Sequence, residues 1–244
     1  MGFLTVIASG KGGTGKSTLS VGLACAFKKR GRKVLLIDVD EGLRCLDLML
    51  GVSDRLVFDV SDIINYGKPL EDVVLPVTEH IDLIAAPSGL NGYDKKRFGE
   101  FLYTVTDQYD HVIVDCPAGL DLEFYNALPS FSEVLIVEPL DMIGCRSATT
   151  LCSVLHSADI NHVFLIVNRF DYFVLKGNPT LSLDDIVDKS GLMIRGIVPY
   201  DPNLSLFSAE GRLFNRSCTS FRAFCRIADR LEGKDVPLPK LNNL

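Results

Sequence analysis

Residues 3–9 read FLTVIAS, residues 10–17 read GKGGTGKS, and a helical pattern follows to about Arg30. No other feature restricts the fold as strongly. The pattern G-x-x-x-x-G-K-[ST] between a strand and a helix is a phosphate-binding loop. Its glycines let successive backbone N–H groups converge, and the helix N-terminus adds favourable potential for an anion. A strand entering such a loop, followed by a helix, is the first βα unit of an α/β domain.

The rest of the chain repeats that unit. Apolar runs predict strands ending at Asp38 and over 81–87, 111–117, 133–139, 162–169 and 191–199. Helical spacing is found over 94–108, 143–157, 183–190 and 218–231. The strands are near-continuously apolar rather than alternating, as in a parallel sheet covered on both faces. The expected architecture is α/β: a doubly wound, mainly parallel sheet flanked by helices. One nucleotide-binding domain over 1–232 and an irregular tail over 233–244 are expected.

Composition removes other classes. The net charge of −6 does not steer the chain as a whole onto DNA or anionic lipid. No apolar run reaches the length of a membrane span. The N-terminus carries neither a secretory signal nor the hydroxyl residue expected of a myristoylation site. A cytoplasmic location is expected. The seven cysteines include no C-x-x-C pair. They are read as small buried hydrophobes, against a metal or iron–sulfur role.

In such folds ligands bind beyond the carboxyl ends of the strands. Gly10, Gly12, Gly13, Thr14, Gly15 and Thr18 are the candidate cradle. Lys16 is expected to reach the β- and γ-phosphates, and Ser17 to place its hydroxyl on Mg²⁺. Asp38 and Asp115 close strands and are the candidate carboxylates for the metal's shell; Asp40 can orient an attacking water. Gly119 can offer a backbone N–H to the γ-phosphate. Lys11 is a second lysine inside the loop. Its charge opposes Lys16 unless an anion lies between them. It can neutralise phosphate in its own subunit or reach phosphate held by a second one across a two-fold axis.

SGKGGTGKST resembles the deviant Walker A motif of the MinD/ParA family of ATPases. DVDEGLRCLD (38–47) resembles switch I of its MinD branch, usually D-x-D-x-G-L-R-N-L-D, with Cys45 in place of Asn and an extra charge at Glu41. DCPAGL (115–120) resembles switch II. The resemblance implies a P-loop NTPase fold, ATP and Mg²⁺ as ligands, and an ATP-dependent homodimer in which Lys11 crosses to the partner's phosphates. It implies slow, partner-activated hydrolysis in the spatial regulation of the division septum. A MinC-type inhibitor and a MinE-type or other topological regulator are the implied partners.

Asn168 and Arg169 approximate the guanine-reading N-K-x-D motif, which keeps a GTPase in view; the family places a similar V-N-R segment at its adenine pocket. Pro199, Tyr200 and Asp201 resemble the loop lining the other side of the base. In the last helix, Phe221, Phe224, Cys225, Ala228 and Leu231 form an apolar stripe, and Arg222, Arg226 and Arg230 a solvated one. The tail EGKDVPLPKLNNL offers neither an apolar face nor clustered charge, so it is not expected to insert into lipid. Contact with the inner face of the cell membrane would then come from a partner. The competing readings are a ParA-type partitioning or flagellar-placement ATPase, an iron–sulfur scaffold on the same fold, and a nucleotide-locked module without turnover. DNA is not an expected partner.

Overall fold

The computed structural model describes residues 2–41, 44–87, 92–177 and 182–243. Gly42 and Leu43 of the switch I resemblance lie outside the described residues. The strands are β1 Phe3–Ala8, β2 Val34–Asp38, β3 Leu75–Pro76, β4 Ile81–Ile84, β5 His111–Asp115, β6 Glu133–Pro139, β7 Val163–Phe170 and β8 Met193–Pro199. The helices are α1 Lys16–Lys28, α2 Leu46–Met49, α3 Val60–Ile64, α4 Leu70–Val73, α5 Lys95–Val105, α6 Leu122–Ala127, α7 Met142–Ser157, α8 Tyr172–Gly177, α9 Leu183–Ser190, α10 Pro202–Ala209 and α11 Phe221–Leu231.

All eight strands join one sheet in the order β3-β4-β2-β5-β1-β6-β7-β8. Among the described residues every pairing is parallel except β3 with β4. The expected doubly wound architecture is therefore present. β1 is central, flanked by β5 and β6, so the loops after these three strands open at one edge.

Alternation along each strand divides the core into two layers. On one side Leu4, Val6 and Ala8 of β1 pack with Val112 and Val114 of β5 and with residues of α5, α6 and α7. On the other, Ile7 and Ile113 pack beneath α1, α10 and α11. Both faces are dry, which is why the strands show no polar alternation. Each fully buried aliphatic side chain contributes about 1.5–3 kcal/mol relative to exposure.

Several elements were not read from the sequence: β3 and the short helices α2, α3, α4, α6, α8 and α10. A capping box made by Ser182 and Asp185 starts α9. The last helix begins at Phe221, three residues later than its pattern suggested. Before it, turn bonds from Cys218 N–H to Asn215 and from Phe221 N–H to Cys218 hold the chain. Ala223 and Ile227 join its buried face, while Cys225 is only half-buried.

The solvated arginine stripe needs correction at Arg230. Its guanidinium donates to the carbonyls of Arg195, Val236 and Pro237 at 2.9, 2.7 and 2.8 Å. The start of the tail is thereby tied to β8. Further on, Leu241 is partly buried against the core. No helix among the described residues is long and apolar enough to cross a membrane.

Gly99 sets the distance between α5 and α6, the helix that follows residues 115–120. A Cβ there would lie 1.9 Å from the Ala127 carbonyl oxygen, a backbone atom that yields only if the helices part. Gly99→Ala is expected to lower stability by about 1–3 kcal/mol, measured by denaturant titration; an unchanged midpoint would show that the helices separate freely.

Candidate functional site

The loop between β1 and α1 is shaped by two left-handed residues, Gly13 at φ 75° and Gly15 at φ 99°. Gly12 and Gly13 face open space, with nothing within 4 Å of the position of a Cβ. Gly15 is close-packed instead: a Cβ would come within 2.2 Å of the Asn168 side-chain nitrogen. Asn168 Nδ2 donates to the Thr14 carbonyl at 2.7 Å, fastening the loop to the end of β7. One amide donor expected at a base edge is therefore committed to the loop.

Lys16 opens α1 and is only 8% exposed. Its charge acts on Asp115, whose carboxylate also takes hydrogen bonds from Ser17 and Ser20. The Ser20 hydroxyl lies 3.0 Å from Asp115 Oδ1. Sequence reasoning missed Ser20, although it stands one helical turn after Lys16.

Asp38 and Asp115 occupy paired positions on β2 and β5, both almost fully buried. Asp38 accepts from the N–H groups of Asp40 and Leu46 at 2.9 and 3.2 Å, which fixes both ends of the intervening loop. Burial raises the Asp115 carboxyl to about 7, with the Asp38 charge adding to the effect. Burial likewise raises Asp38 to about 6, against the two N–H bonds. Two neighbouring acids held this way favour a proton or a cation between them.

Asp40 and Glu41 border a cavity of about 280 Å³ whose other wall is Cys116–Asp121. Lys95 pairs with Asp121 and so closes this cavity between the two switch-like segments. The Gly119 N–H expected to face phosphate instead donates to the Ser9 carbonyl at 3.0 Å, with φ at 132°. It serves a phosphate only if this segment rotates.

Lys11 is placed differently from Lys16. Its ammonium sits 3.8 Å from Glu138 Oε2 and 3.6 Å from Asp141 Oδ1, with its side chain 30% exposed. The chain itself thus supplies counter-charge to Lys11. Glu138, at the end of β6, is 2% exposed and accepts from Ser9 and Ser147 at 2.9 and 2.6 Å. Among the described residues its second oxygen has no hydrogen-bond partner. Glu138, Asp141, Ser9 and Ser147 were all missed from the sequence; E-P-L-D after an apolar strand was the available signal.

A cavity of about 530 Å³ adjoins the loop. Gly15, Thr18, Asn168, Arg169, Pro199, Tyr200 and Asp201 line it, so the expected base-pocket residues do come together. Met49, Leu204, Ser205 and Ser208 complete the wall from α2 and α10. Arg169 holds a left-handed φ of 53°. The Asp201 carboxylate is structural, accepting from the N–H groups of Asn203 and Ser220 at 3.0 and 2.9 Å.

These residues fit a nucleotide with a hydrated divalent cation. Thr14 Oγ1 is buried without a hydrogen-bond partner among the described residues, the glycine rim is open, and hard oxygens of Ser17, Asp38 and Asp115 share one corner with Lys16. The raised carboxyls set a pH dependence. A folded-state pKa above the ordinary value of about 4 means that the folded form holds protons more tightly. This contribution to stability is complete in acid below that ordinary value and is lost as pH rises through the shifted values of about 6 and about 7. In chelator, the melting temperature is expected to fall between pH about 5 and about 8. Asp115→Asn should flatten that slope; an equal slope in the variant would remove the pair as its source.

Comparison with known proteins agrees with this geometry. Residues 5–214 match the CobQ/CobB/MinD/ParA nucleotide binding domain. The septum site-determining protein MinD of Synechocystis sp. is 32% identical, over 97% of this chain and 92% of that protein. MinD in the MinC:MinD complex of Aquifex aeolicus superposes with a TM-score of 0.88 at 31% identity, covering 98% of each chain. MinD of Pyrococcus horikoshii, solved with Mg-ADP, gives a TM-score of 0.82 at 25% identity over 95% of this chain and 96% of its own. The chain belongs to the MinD/ParA family of nucleotide-binding ATPases.

Proposed function

We propose that this chain is a MinD-type switch: ATP brings two copies face to face, and hydrolysis releases them, in the spatial regulation of septum placement. The observation that carries the reading is the division of labour between the two lysines. Lys16 is buried within the loop, while Lys11 stands at its rim, half-exposed and neutralised by Glu138 and Asp141. A rim lysine of this kind can exchange its own carboxylates for phosphate presented by a facing copy. Leu120, Leu122, Met142 and Ile143 are exposed by 46%, 47%, 54% and 71%. They lie in the segment after β5 and at the starts of α6 and α7, and support a contact face at this end of the sheet.

Lys16 and the loop N–H groups hold the phosphate chain, and Ser17 with the Asp38–Asp115 corner holds Mg²⁺ and its waters. Mg²⁺, when bound, neutralises charge on the phosphate oxygens. Asp40 orients the attacking water through a hydrogen bond. Water oxygen bonds to the γ-phosphorus as the bond to the β–γ bridging oxygen breaks and the water's proton passes to a phosphate oxygen, giving ADP and phosphate. With Lys11 held by its own carboxylates, the isolated subunit has Lys16 but not a second lysine at the transferring group, so turnover is slow until a partner copy or activator completes the site. The Asn168–Asp201 cavity takes the adenine. The Mg-ADP of the Pyrococcus horikoshii protein supports these ligands, and the MinC:MinD complex supports a MinC-type partner. A MinE-type or other regulator fits the same scheme, with any membrane contact made at the inner face of the cell membrane.

Two variants test the division of labour. Lys16→Ala should weaken ATP binding about 10- to 100-fold, the value of a lost charge-assisted contact; wild-type affinity would sink the assignment. Lys11→Ala should bind ATP within about threefold of wild type yet remain monomeric in light scattering with ATP and Mg²⁺. A dimer of the variant would refute the cross-subunit role. Titrating GTP beside ATP fixes base choice, and a GTP preference would overturn the adenine reading.

A further inference from the structure

A second concavity opens on the other side of the segment linking β8 to α10. Its volume is about 580 Å³, close to the 530 Å³ of the cavity beside the phosphate loop. Pro199 and Tyr200 line both cavities, so this segment is a shared wall. The second cavity is lined further by Phe173, Arg216, Thr219, Arg222 and Arg226.

The arginines are the unusual part. Arg222 and Arg226 stand one turn apart on α11, a like-charge spacing that disfavours a helix. Arg216 joins them from the preceding loop. Among the described residues none of the three makes an ion pair or a side-chain hydrogen bond. Many other arginines are engaged, among them Arg30 with Asp229, Arg32 with Glu232, Arg195 with Glu133 and Arg230 with the tail; what sets these three apart is that they line one cavity together. The acid on the wall, Asp171, accepts from the Phe173 amide at 2.8 Å. Burial and the neighbouring Arg222 charge both lower the pKa of Arg226, as expected of a cation with no acid beside it. Guanidinium groups left in this state are suited to bidentate pairing with phosphate oxygens.

The rings are the second part. Phe173 is 81% exposed and Tyr200 63% exposed. Both are large surfaces for a planar group to cover, and stacking of a base on such rings is favourable whatever the base. Concavity argues for a small ligand over a duplex or a bilayer, which need a broad convex or flat face; the volume lies in the usual range for small-molecule sites.

We propose that this cavity binds a second phosphate-bearing planar ligand, a nucleotide in class, with Arg216, Arg222 and Arg226 on its phosphates and Phe173 and Tyr200 against its ring. None of these arginines belongs to the phosphate loop or its metal corner. The site would place an anion behind the wall of the base cavity and make occupancy of that cavity responsive to it.

The test uses the full chain carrying Lys16→Ala, to weaken binding at the loop, titrated with a fluorescent adenine nucleotide. Saturable binding is expected. It should weaken about tenfold or more when Arg222→Ala and Arg226→Ala are added, the size expected for lost charge-assisted contacts. Removing that like-charge pair does not threaten α11, and Arg216→Ala, in a loop, gives an independent second variant. Inorganic pyrophosphate should compete, and Phe173→Ala should weaken the nucleotide more than pyrophosphate. Absence of saturable binding, or binding that neither arginine variant reduces, overturns the proposal. So does binding of a single-stranded oligonucleotide or of anionic phospholipid vesicles with none of the free nucleotide, which would make the surface a macromolecular one.

Discussion

Two carboxylates at paired positions of adjacent parallel strands set the terms for the rest of this molecule. The register of β2 against β5 puts Asp38 beside Asp115, and burial denies them water. Hydrogen bonds from Ser17, Ser20 and two backbone N–H groups offset only part of that cost, so both carboxyls stay raised. A buried like-charge pair is tolerated where a cation or a proton relieves it. The α1 helix brings Ser17, Ser20 and Lys16 to the same corner, and the loop before α1 takes its shape from glycines at positive φ. A cation and a phosphate bound as proposed would join the loop in one electrostatic arrangement. Asp38 also anchors the N–H groups of Asp40 and Leu46, so charge at this corner is transmitted to the segment that holds the water-orienting candidate.

The second arrangement is built around Glu138. It receives hydroxyls from the loop, through Ser9, and from α7, through Ser147, and keeps one buried oxygen toward Lys11. The Lys11 distances are long for ion pairs, and the ammonium is partly solvated, so this restraint is weak compared with a close buried pair. A weak restraint suits a lysine that changes partners. Gly119 belongs to the same state, because its N–H rests on the Ser9 carbonyl. The resting loop, the rim lysine and the segment after β5 are therefore connected through Ser9, a residue that touches no expected ligand. Such a connection gives a two-state element a physical form: the contacts made by Ser9, Lys11 and Gly119 in one state are those that phosphate would replace in the other.

The sequence made local features legible and left long-range ones obscure. The phosphate loop, Asp38 and Asp115 could be read because each adjoins a strand end and owes its role to a few neighbouring residues. The strands themselves were legible because burial on both faces suppresses polar alternation. Glu138 was not legible, since its contact with Ser9 spans 129 positions and exists only because β6 lies beside β1. Asn168 itself could be read as a pocket residue, but the bond from its amide to the loop carbonyl 154 positions away could not. Arg230 was assigned to a solvated stripe by helical spacing alone. Spacing cannot show that the chain turns back and presents the carbonyls of Val236 and Pro237 to it. Short helices such as α2 and α8, with too few turns to show a period, were unreadable for the same reason.

The segment Asn168–Phe173 with Pro199–Asp201 has two sides, and this bears on how the proposed second site would act. Toward the loop it presents Asn168, Arg169 and Tyr200; toward α11 it presents Phe173 and again Tyr200. Tyr200 N–H donates to the Phe170 carbonyl at 2.9 Å, so the two strand ends move as one piece. Ser220 bonds Pro199 and Asp201 from the α11 side, tying the arginine-bearing helix to the same piece. An anion drawn among Arg216, Arg222 and Arg226 would pull on α11 and hence on this wall. Whatever free energy that displacement adds to binding at the loop, nucleotide at the loop must return to the second site, since coupling between two binding sites is reciprocal. A ligand that favours the loop-bound state would thereby favour the proposed dimer without touching the proposed contact face.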